Sequence, residues 1–525
     1  MRGPKRQVFG GSAAVAAGIL ASRAAGFVRQ SVFAYYFGNS DAADVWTAGF
    51  RIPNLLQNLF GEGALSASFI PVYARLRAHG RGAEARRVAG AVAGLLTFTL
   101  AVLVLTGVLA TPALIGLVAP GFTGEKREAA IRVVQIFFPG AGLLVMSAWC
   151  LGVLNSHRKF FLSYAAPVIW SAAIVAAMLL FGGRESGYRL GELVAWGSVV
   201  GSALQLLIQL PFVLRLLATL HDGEGGGKEF TAEVREVFRN FGPAAAARGV
   251  VQISAYIDTL IASFLPGGAV ATLGYAQLIY TLPVSLFGMS VSAAELPAMS
   301  EATGSADEIG AHLRRRLDSG MRRIAFFTVP AVAAFLAIGD LLSAILFERG
   351  AFTREGSLWV WATLAGSAVG LLATTLARLC SSGFYALRDT RTPALFAAAR
   401  VTIGAGLGSC AALLAPGLLG IAPHWGTAFL TAASGCAGWI EFGLLRRALS
   451  KRIGAFGLPS SYLLKLWGSA LVAAAGATAV RFAGPVVLGA MPHARLITAM
   501  TAAVLFAALY LPVARRLAGW PGTPA

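Results

Sequence analysis

The sequence predicts an all-α, polytopic integral membrane protein with about fourteen transmembrane helices. Three observations predict it. The chain is 57% hydrophobic and only 13% charged, with a mean hydropathy of +0.70, whereas a soluble domain carries about 25% charged residues. Apolar stretches of 18 residues or more, each long enough to cross a bilayer, recur from one end to the other. The loops between them alternate between basic-rich and basic-poor, as orientation in a membrane requires. A β-barrel would show weak ten-residue alternation instead.

The first apolar run, 8–37, follows the basic start MRGPKRQVF and imitates a secretory signal. The run resumes at once beyond Arg23, and more than ten spans follow, so an uncleaved first helix is expected. Further spans are expected at 42–73, 88–118, 129–154, 160–182, 191–220, 240–265, 269–300, 320–347, 356–386, 393–416, 420–445, 461–483 and 494–514. Pro53 and the Gly61/Gly63 pair should bend the second. Residues 302–318, rich in Arg and Asp, read as a surface helix, and HDGEGGGKEF at 221–230 as a flexible linker.

The loops test this count. One set holds Arg2, Lys5 and Arg6, then Arg75 to Arg87, Arg158 and Lys159, Lys228 to Arg239, Arg314 to Arg316, Arg388 and Arg391, Arg446 to Arg452, and Arg515 and Arg516. The alternating set holds Lys126 and Arg127, Arg184 and Arg189, Arg349 and Arg354, and little else. A missed span would scramble the alternation, so both termini are expected in the cytoplasm. The net charge of +19 is then a topology signal and does not call for nucleic acid.

A weak repeat divides the chain. SASFIP at 66–71 and SAAELP at 292–297 each close a second helix. Gly152 and Gly383 each precede a basic turn, NSHRK and RDTRT. The reading is an N-terminal lobe over 1–220, a linker over 221–239, a second lobe over 240–450 and a helix pair over 451–525. Parallel repeats of this kind are common in transporters.

Reactive chemistry is not encoded. Cys150, Cys380, Cys410 and Cys436 lie in apolar segments with no metal spacing. The six histidines are scattered near span ends or in loops, and no nucleophile–base set, HExxH or paired-cysteine motif appears. Gly-Gly-Lys at 226–228 is followed by no Ser or Thr and preceded by no strand, so it is not a phosphate loop. No cofactor or metal is expected. Gly197/Gly201 and Gly366/Gly370 have the spacing of helix packing seams.

The informative residues are charges inside spans, which cost roughly 2.5–3.5 kcal/mol each and so face a cavity or a partner. Arg23 and Arg29 stand in the first span, in SRAAGFVRQ. Six residues apart, they are separated by about 9 Å along the axis and about 120° around it, so both can border a wide cavity. Along the second span Asp44, Thr47, Arg51, Asn54, Asn58 and Glu62 make one polar stripe at three- and four-residue steps. Asp44 and Glu62 could also simply neutralise Arg23 and Arg29. Arg248, Asp258, Glu295, Arg378 and Arg400 are further charges within spans, with snorkelling the plainer account of Glu295 and Arg400. A surplus of Arg predicts an anionic ligand, and its fork suits phosphate. Arg23, Arg29, Asp44, Arg51, Asn54, Glu62, Arg248 and Arg378 are the expected substrate-binding set.

At these residues the chain resembles the MurJ (MviN) family of lipid II flippases, within the multidrug/oligosaccharidyl-lipid/polysaccharide exporter superfamily. The carriers are SRAAGFVRQ, AADVWTAGFRIPNLLQNLFGEGALSASFIPVY at 42–73, APGF at 119–122, GVLNSHRKF at 152–160, QISAYIDTLIASFL at 252–265, LPAMS at 296–300, LFERGAFT at 346–353 and GFYALRDTRTP at 383–393. The resemblance implies two six-helix lobes around a cationic cavity and a terminal pair beside a lipid-tail groove. It implies alternating access that moves a lipid-linked peptidoglycan precursor across a bacterial inner membrane, in contact with cell-wall synthesis proteins. Arg23 and Arg29 match its first-helix arginines, Asp44 and Glu62 its second-helix acids, and Arg378 a basic residue of its tenth helix. Gln30, Gln57, Asn58 and Leu278 depart from its usual charges; Arg248 and Asp258 are additional ones. The alternatives are an exporter of another undecaprenyl-pyrophosphate-linked oligosaccharide or of small cations, and a membrane scaffold that has lost transport.

Overall fold

A computed structural model describes residues 5–220, 232–237, 239, 241, 256–489 and 494–519, with side chains except at 5–16, 62–64, 66, 67, 485 and 518. Among the described residues it is helical throughout, and eleven helices are long and apolar enough to cross a membrane. The chain divides into two compact units, Met1–Ser263 and Phe264–Ala525.

The first unit holds α1 (Lys5–Phe37), α2 (Asp41–Phe60), α3 (Glu62–Ala78), α4 (Gly82–Val118), α5 (Gly124–Ser156), α6 (Phe160–Ala165), α7 (Pro167–Phe181) and α8 (Gly187–Ala218). The expected bend of the second span is a break between α2 and α3. Gly61 marks it with φ −83° and ψ −141°, and a Cβ there would collide with the Gln57 carbonyl. The span 160–182 is likewise interrupted at Ala166, which keeps helical angles (φ −55°, ψ −37°) ahead of Pro167 at the start of α7, because proline has no N–H with which to continue the hydrogen-bond ladder. Residues 256–263 are helical and cluster with this unit.

The second unit holds α9 (Ala269–Pro283), a π-helical segment (Val284–Met289), α10 (Ser290–Ser300), α11 (Ala306–Phe347), α12 (Arg354–Ala386), α13 (Arg391–Leu418), α14 (Gly426–Ile453), α15 (Ser460–Leu488) and α16 (Ala494–Ala518). The surface helix expected over 302–318 is not separate. It is the start of α11, opened by a capping box in which Ser305 Oγ accepts from the Glu308 N–H and the Glu308 carboxylate accepts from the Ser305 N–H.

Each unit is built around one central helix. In the first, α5 packs on α2, α3, α4 and α8; in the second, α12 packs on α9, α10, α11 and α14. The apolar windows of α5 and α12 are 78% and 67% buried, against 28% for α4 and 22% for α13, which leaves the latter two facing lipid. Both central helices have 33 residues, and each starts after a threonine N-cap, Thr123 and Thr353, in positions 230 apart. This is the repeat anticipated from Gly152 and Gly383, now at the level of packing.

The small-residue seams pack as their spacing predicts. Gly197 and Gly201 face Ala177 and Ala173 of α7, and Gly366 and Gly370 face Ala428 and Gly435 of α14. A Cβ on Gly370 would stand 2.5 Å from the Gly435 Cα, whereas Gly406 on α13 has nothing within 4 Å. Gly370→Val should therefore cost about 1–3 kcal/mol by forcing the helices apart. Gly406→Ala should leave thermal unfolding in detergent unchanged or slightly raised.

At the end of α5 the chain turns through His157, whose Nε2 lies 2.9 Å from the Tyr73 hydroxyl of α3. Arg77 donates to the Ser156 carbonyl at 2.5 Å. Burial, and then the charges of Arg77 and Lys159, hold the imidazole down to about 4 from its ordinary 6.5. The folded protein thus prefers neutral His157, while the unfolded chain takes up the proton as pH falls below 6.5. Stability conferred by the neutral ring is full above 6.5 and is lost as pH falls toward 4. Melting temperatures over this range should fall more steeply for the wild type than for His157→Gln.

Candidate functional site

The site begins with the turn between α1 and α2. Ser40 caps α2 by accepting from the Ala43 N–H at 3.2 Å, which fixes Asp41 and Asp44 on one face of the first turn. Lys126, in the first turn of α5, meets both: its Nζ lies 2.6 Å from Asp41 Oδ1 and 2.7 Å from Asp44 Oδ2. Asp44 is 1% exposed. The alternative in which Asp44 simply neutralises a first-helix arginine is not what the structure shows for Asp44, whose carboxylate is held by Lys126. The reason is depth. α1 ends and α2 begins at the turn 38–40, so along its helix Arg29 stands about 12 Å from that turn and Asp44 about 5 Å, with Arg23 farther still.

Arg29 instead meets aromatics. Its guanidinium lies 4.4 Å from the centroid of the Trp170 ring on α7. The opposing ring is Phe50 of α2, 5.7 Å away and stacked. Phe50 continues through Phe137 of α5 to Trp46. Trp170 is oriented by its indole N–H, which donates to Ser198 Oγ of α8 at 3.0 Å. A cation over Trp is favourable by about 0.5–2 kcal/mol and leaves the guanidinium edge free to donate. Arg23 is exposed, six residues earlier on α1. Neither arginine forms an ion pair among the described residues.

Below this the polar stripe of α2 continues with Thr47, Arg51, Asn54 and Asn58, all half-buried. The Arg51 carbonyl accepts from the Tyr256 hydroxyl at 2.6 Å, and Asp258 acts on the Arg51 guanidinium as an opposing charge. Thus Asp258, an additional charge by sequence, serves Arg51. Gln57 and Asn58 enter a cavity of about 260 Å³ inside the unit, with Ser147, Ser163, Trp170 and Gln205 among its walls. Gln205 donates to Ser147 Oγ at 2.8 Å and Ser147 donates to Gln209 at 2.6 Å, leaving Gln205 Oε1 buried without a partner. The cavity is polar and uncharged, and it is large enough for several waters. The side chain of Glu62 and all of Arg248 lie outside the described residues.

The second unit has its own polar cluster. Arg378 is exposed on α12, one turn beyond Thr374, whose hydroxyl lies 3.1 Å from that of Tyr280. Arg378 and Arg400 both act on Tyr280 and Glu441, and Arg400 pairs with Glu441 at 3.1 Å. Glu295 is 3% exposed and pairs with Arg323 at 3.3 Å and Arg316 at 3.7 Å. For Arg400 and Glu295 pairing replaces the expected snorkelling.

Sequence reasoning missed Lys126, Trp170 and the Ser147–Gln205–Gln209 network. The two glutamines, four residues apart in an apolar helix, were a usable signal. Lys126 and Trp170 carried none, since a loop lysine and an interfacial tryptophan are ordinary in membrane proteins.

A helical, multi-pass architecture built from two similar units, with arginines set into its spans, defines a membrane transporter fold. Comparison with known proteins narrows this. The family described as Lipid II flippase MurJ matches residues 33–493. A Rhizobium meliloti protein named "Probable lipid II flippase MurJ" is 32% identical over 441 residues, 82% of this chain and 79% of that protein. The Burkholderia cenocepacia "Lipid II flippase MurJ" is 31% identical over 389 residues, 71% of this chain and 72% of that one. In fold, the chain is similar to a lipid II flippase MurJ in an inward closed conformation, with a TM-score of 0.72 and 21% identity over 96% of this chain and 98% of that one. An inward-facing multidrug resistance MATE transporter of the MOP superfamily superposes with a TM-score of 0.63 at 16% identity, over 81% and 94% of the two chains. The chain belongs to the MurJ family.

Proposed function

We propose that this protein is a lipid II flippase of peptidoglycan biosynthesis, carrying the lipid-linked precursor from the inner to the outer leaflet by alternating access. The observation that carries the site assignment is Arg29 on Trp170: a cation inside a span, stacked on an aromatic and without an ion partner among the described residues. Two arginines inside one span, Arg23 and Arg29, cost too much to be retained as filler, and their forks match a pyrophosphate. Arg23 and Arg29 hold the diphosphate in the inward-open state. Arg51, Asn54 and Arg378 supply further donors, with Arg248 and Glu62 assigned on sequence. Asp44 acts through Lys126, fixing the α1–α2 turn against α5. The relevant membrane is the bacterial inner membrane, with both termini cytoplasmic. The lobes are 1–220 and 240–450, joined by the linker 221–239, with 451–525 as the terminal pair. The protein transports and does not catalyse a reaction. The driving force is the membrane potential or a coupled ion, since no nucleotide-binding motif is present. A cation exporter would need an acid-dominated cavity, and a scaffold would not need unpaired intramembrane arginines.

The test is complementation of a bacterium depleted of its own lipid II flippase. Wild-type protein should restore growth and deliver precursor to the outer leaflet. Well-expressed protein that restores neither, in two unrelated hosts, would overturn the assignment.

A further inference from the structure

Two non-glycine residues among those described have positive φ: Arg158 at 57° and Arg388 at 60°. They are 230 positions apart, one after α5 and one after α12. Their surroundings are the same hydrogen bond for hydrogen bond. Arg158 N donates to Asn155 O and Lys159 N to Leu154 O; Arg388 N donates to Tyr385 O and Asp389 N to Phe384 O. This is the Schellman helix end, whose left-handed position is normally glycine because any Cβ is strained there. Both units thus place arginine where the backbone favours glycine, so the reason lies in the side chain.

Both side chains are exposed, and neither forms an ion pair with a described residue. Asp389, next to Arg388 in the chain, is occupied: it accepts from the Arg391 and Thr392 N–H groups and the Thr392 hydroxyl and pairs with Arg452 at 2.7 Å. Lys159 and Arg391 add positive charge beside the two turns. Large apolar side chains flank each turn and point outward: Phe161 is 58% exposed, Tyr385 45% and Leu395 68%. An exposed arginine between exposed aromatic or aliphatic side chains, at the end of a membrane-spanning helix, has the chemistry of the headgroup region. The loop-charge pattern puts both turns on the basic, cytoplasmic side.

We propose that Arg158 and Arg388 form a repeated pair of binding sites for the phosphates of anionic phospholipids, anchoring the cytoplasmic ends of α5 and α12 to the leaflet. These sites are separate from the intramembrane site for transported cargo. The strained backbone makes the experiment selective. Glycine relieves the strain while deleting the charge, so a structural role and a lipid role move in opposite directions.

The full-length protein in zwitterionic detergent would be compared with Arg158→Gly, Arg388→Gly and the double variant, with Arg158→Asn and Arg388→Asn as second variants that also tolerate the left-handed position. Thermal unfolding would be followed against added phosphatidylglycerol, with phosphatidylcholine as control and retained lipids counted by native mass spectrometry. The expected result is an unchanged or higher melting temperature without lipid. Phosphatidylglycerol binding should weaken by about fivefold per arginine removed, and the lipid-dependent rise should be mostly lost in the double variant. A double variant that keeps the full phosphatidylglycerol response overturns the proposal, as does one that melts lower without lipid. Equal response of the wild type to both lipids overturns it too. Undecaprenyl pyrophosphate serves as a further probe: loss of that response with the phosphatidylglycerol response intact would reassign the arginines to cargo.

Discussion

Asp340→Ala should destabilise the second unit by about 1.5–3 kcal/mol, the cost of taking a charged acceptor away from two half-buried arginines. Asp340 is 4% exposed. Its Oδ2 lies 3.2 Å from Arg481 of α15 and 4.0 Å from Arg495 of α16. Arg495 also pairs with Glu348 at 2.7 Å, and Glu348 accepts from the Ser357 hydroxyl at 2.7 Å. The cluster exists because α11 is broken just before it. Ile338 has φ −133° and ψ 20°, and Gly339 follows, where the Trp361 ring fills the place of a Cβ. Such a break frees carbonyls that must be satisfied in a membrane. Trp361 Nε1 donates to Phe335 O at 3.0 Å and Leu336 O at 3.1 Å, and Arg481 donates to Ala337 O at 2.9 Å. The ion cluster and the kink therefore form one device that fixes the terminal helix pair to α11.

The measurement is thermal or denaturant unfolding of the purified variants. Arg481→Met alone should also be strongly destabilising, since it leaves Asp340 and the Ala337 carbonyl with fewer partners. The double variant Asp340→Ala with Arg481→Met should recover part of the loss, because Arg495 keeps Glu348. Additive losses would show that Asp340 and Arg481 are not coupled.

Arg29→Ala should abolish rescue of a flippase-depleted strain at wild-type membrane levels. A charge-assisted hydrogen bond to phosphate contributes about 1.5–3 kcal/mol, so losing one or two weakens substrate capture by about one to four orders of magnitude. Folding should be little affected, since Arg29 holds no carboxylate among the described residues. Arg29→Lys should rescue partly, as a point charge without the bidentate fork. Trp170→Leu should give an intermediate loss by releasing the guanidinium from its ring. Full rescue by Arg29→Ala would remove Arg29 from the site.

The sequence carried the helical membrane architecture unaided, since the bilayer forces apolar runs of fixed length and basic loops of one sidedness. It also carried the family, the break at Gly61 and the glycine seams. Each of these depends on residue type and spacing along one helix. The partners were a different matter. Asp44 meets Lys126 rather than an arginine, Arg400 meets Glu441, Glu295 meets Arg323, and Arg29 lies on Trp170. These choices depend on depth and rotation between helices far apart in the chain. A one-residue difference moves a side chain about 1.5 Å along and 100° around its helix, and periodicity cannot fix that between two helices. The broken α11, with Asp340 locked by Arg481 and Arg495, belongs to the same class: Gly339 beside Ile338 is a weak signal, since a lone glycine is tolerated inside a helix, and the kink persists because Trp361 and Arg481 arrive from other helices to take the carbonyls it frees.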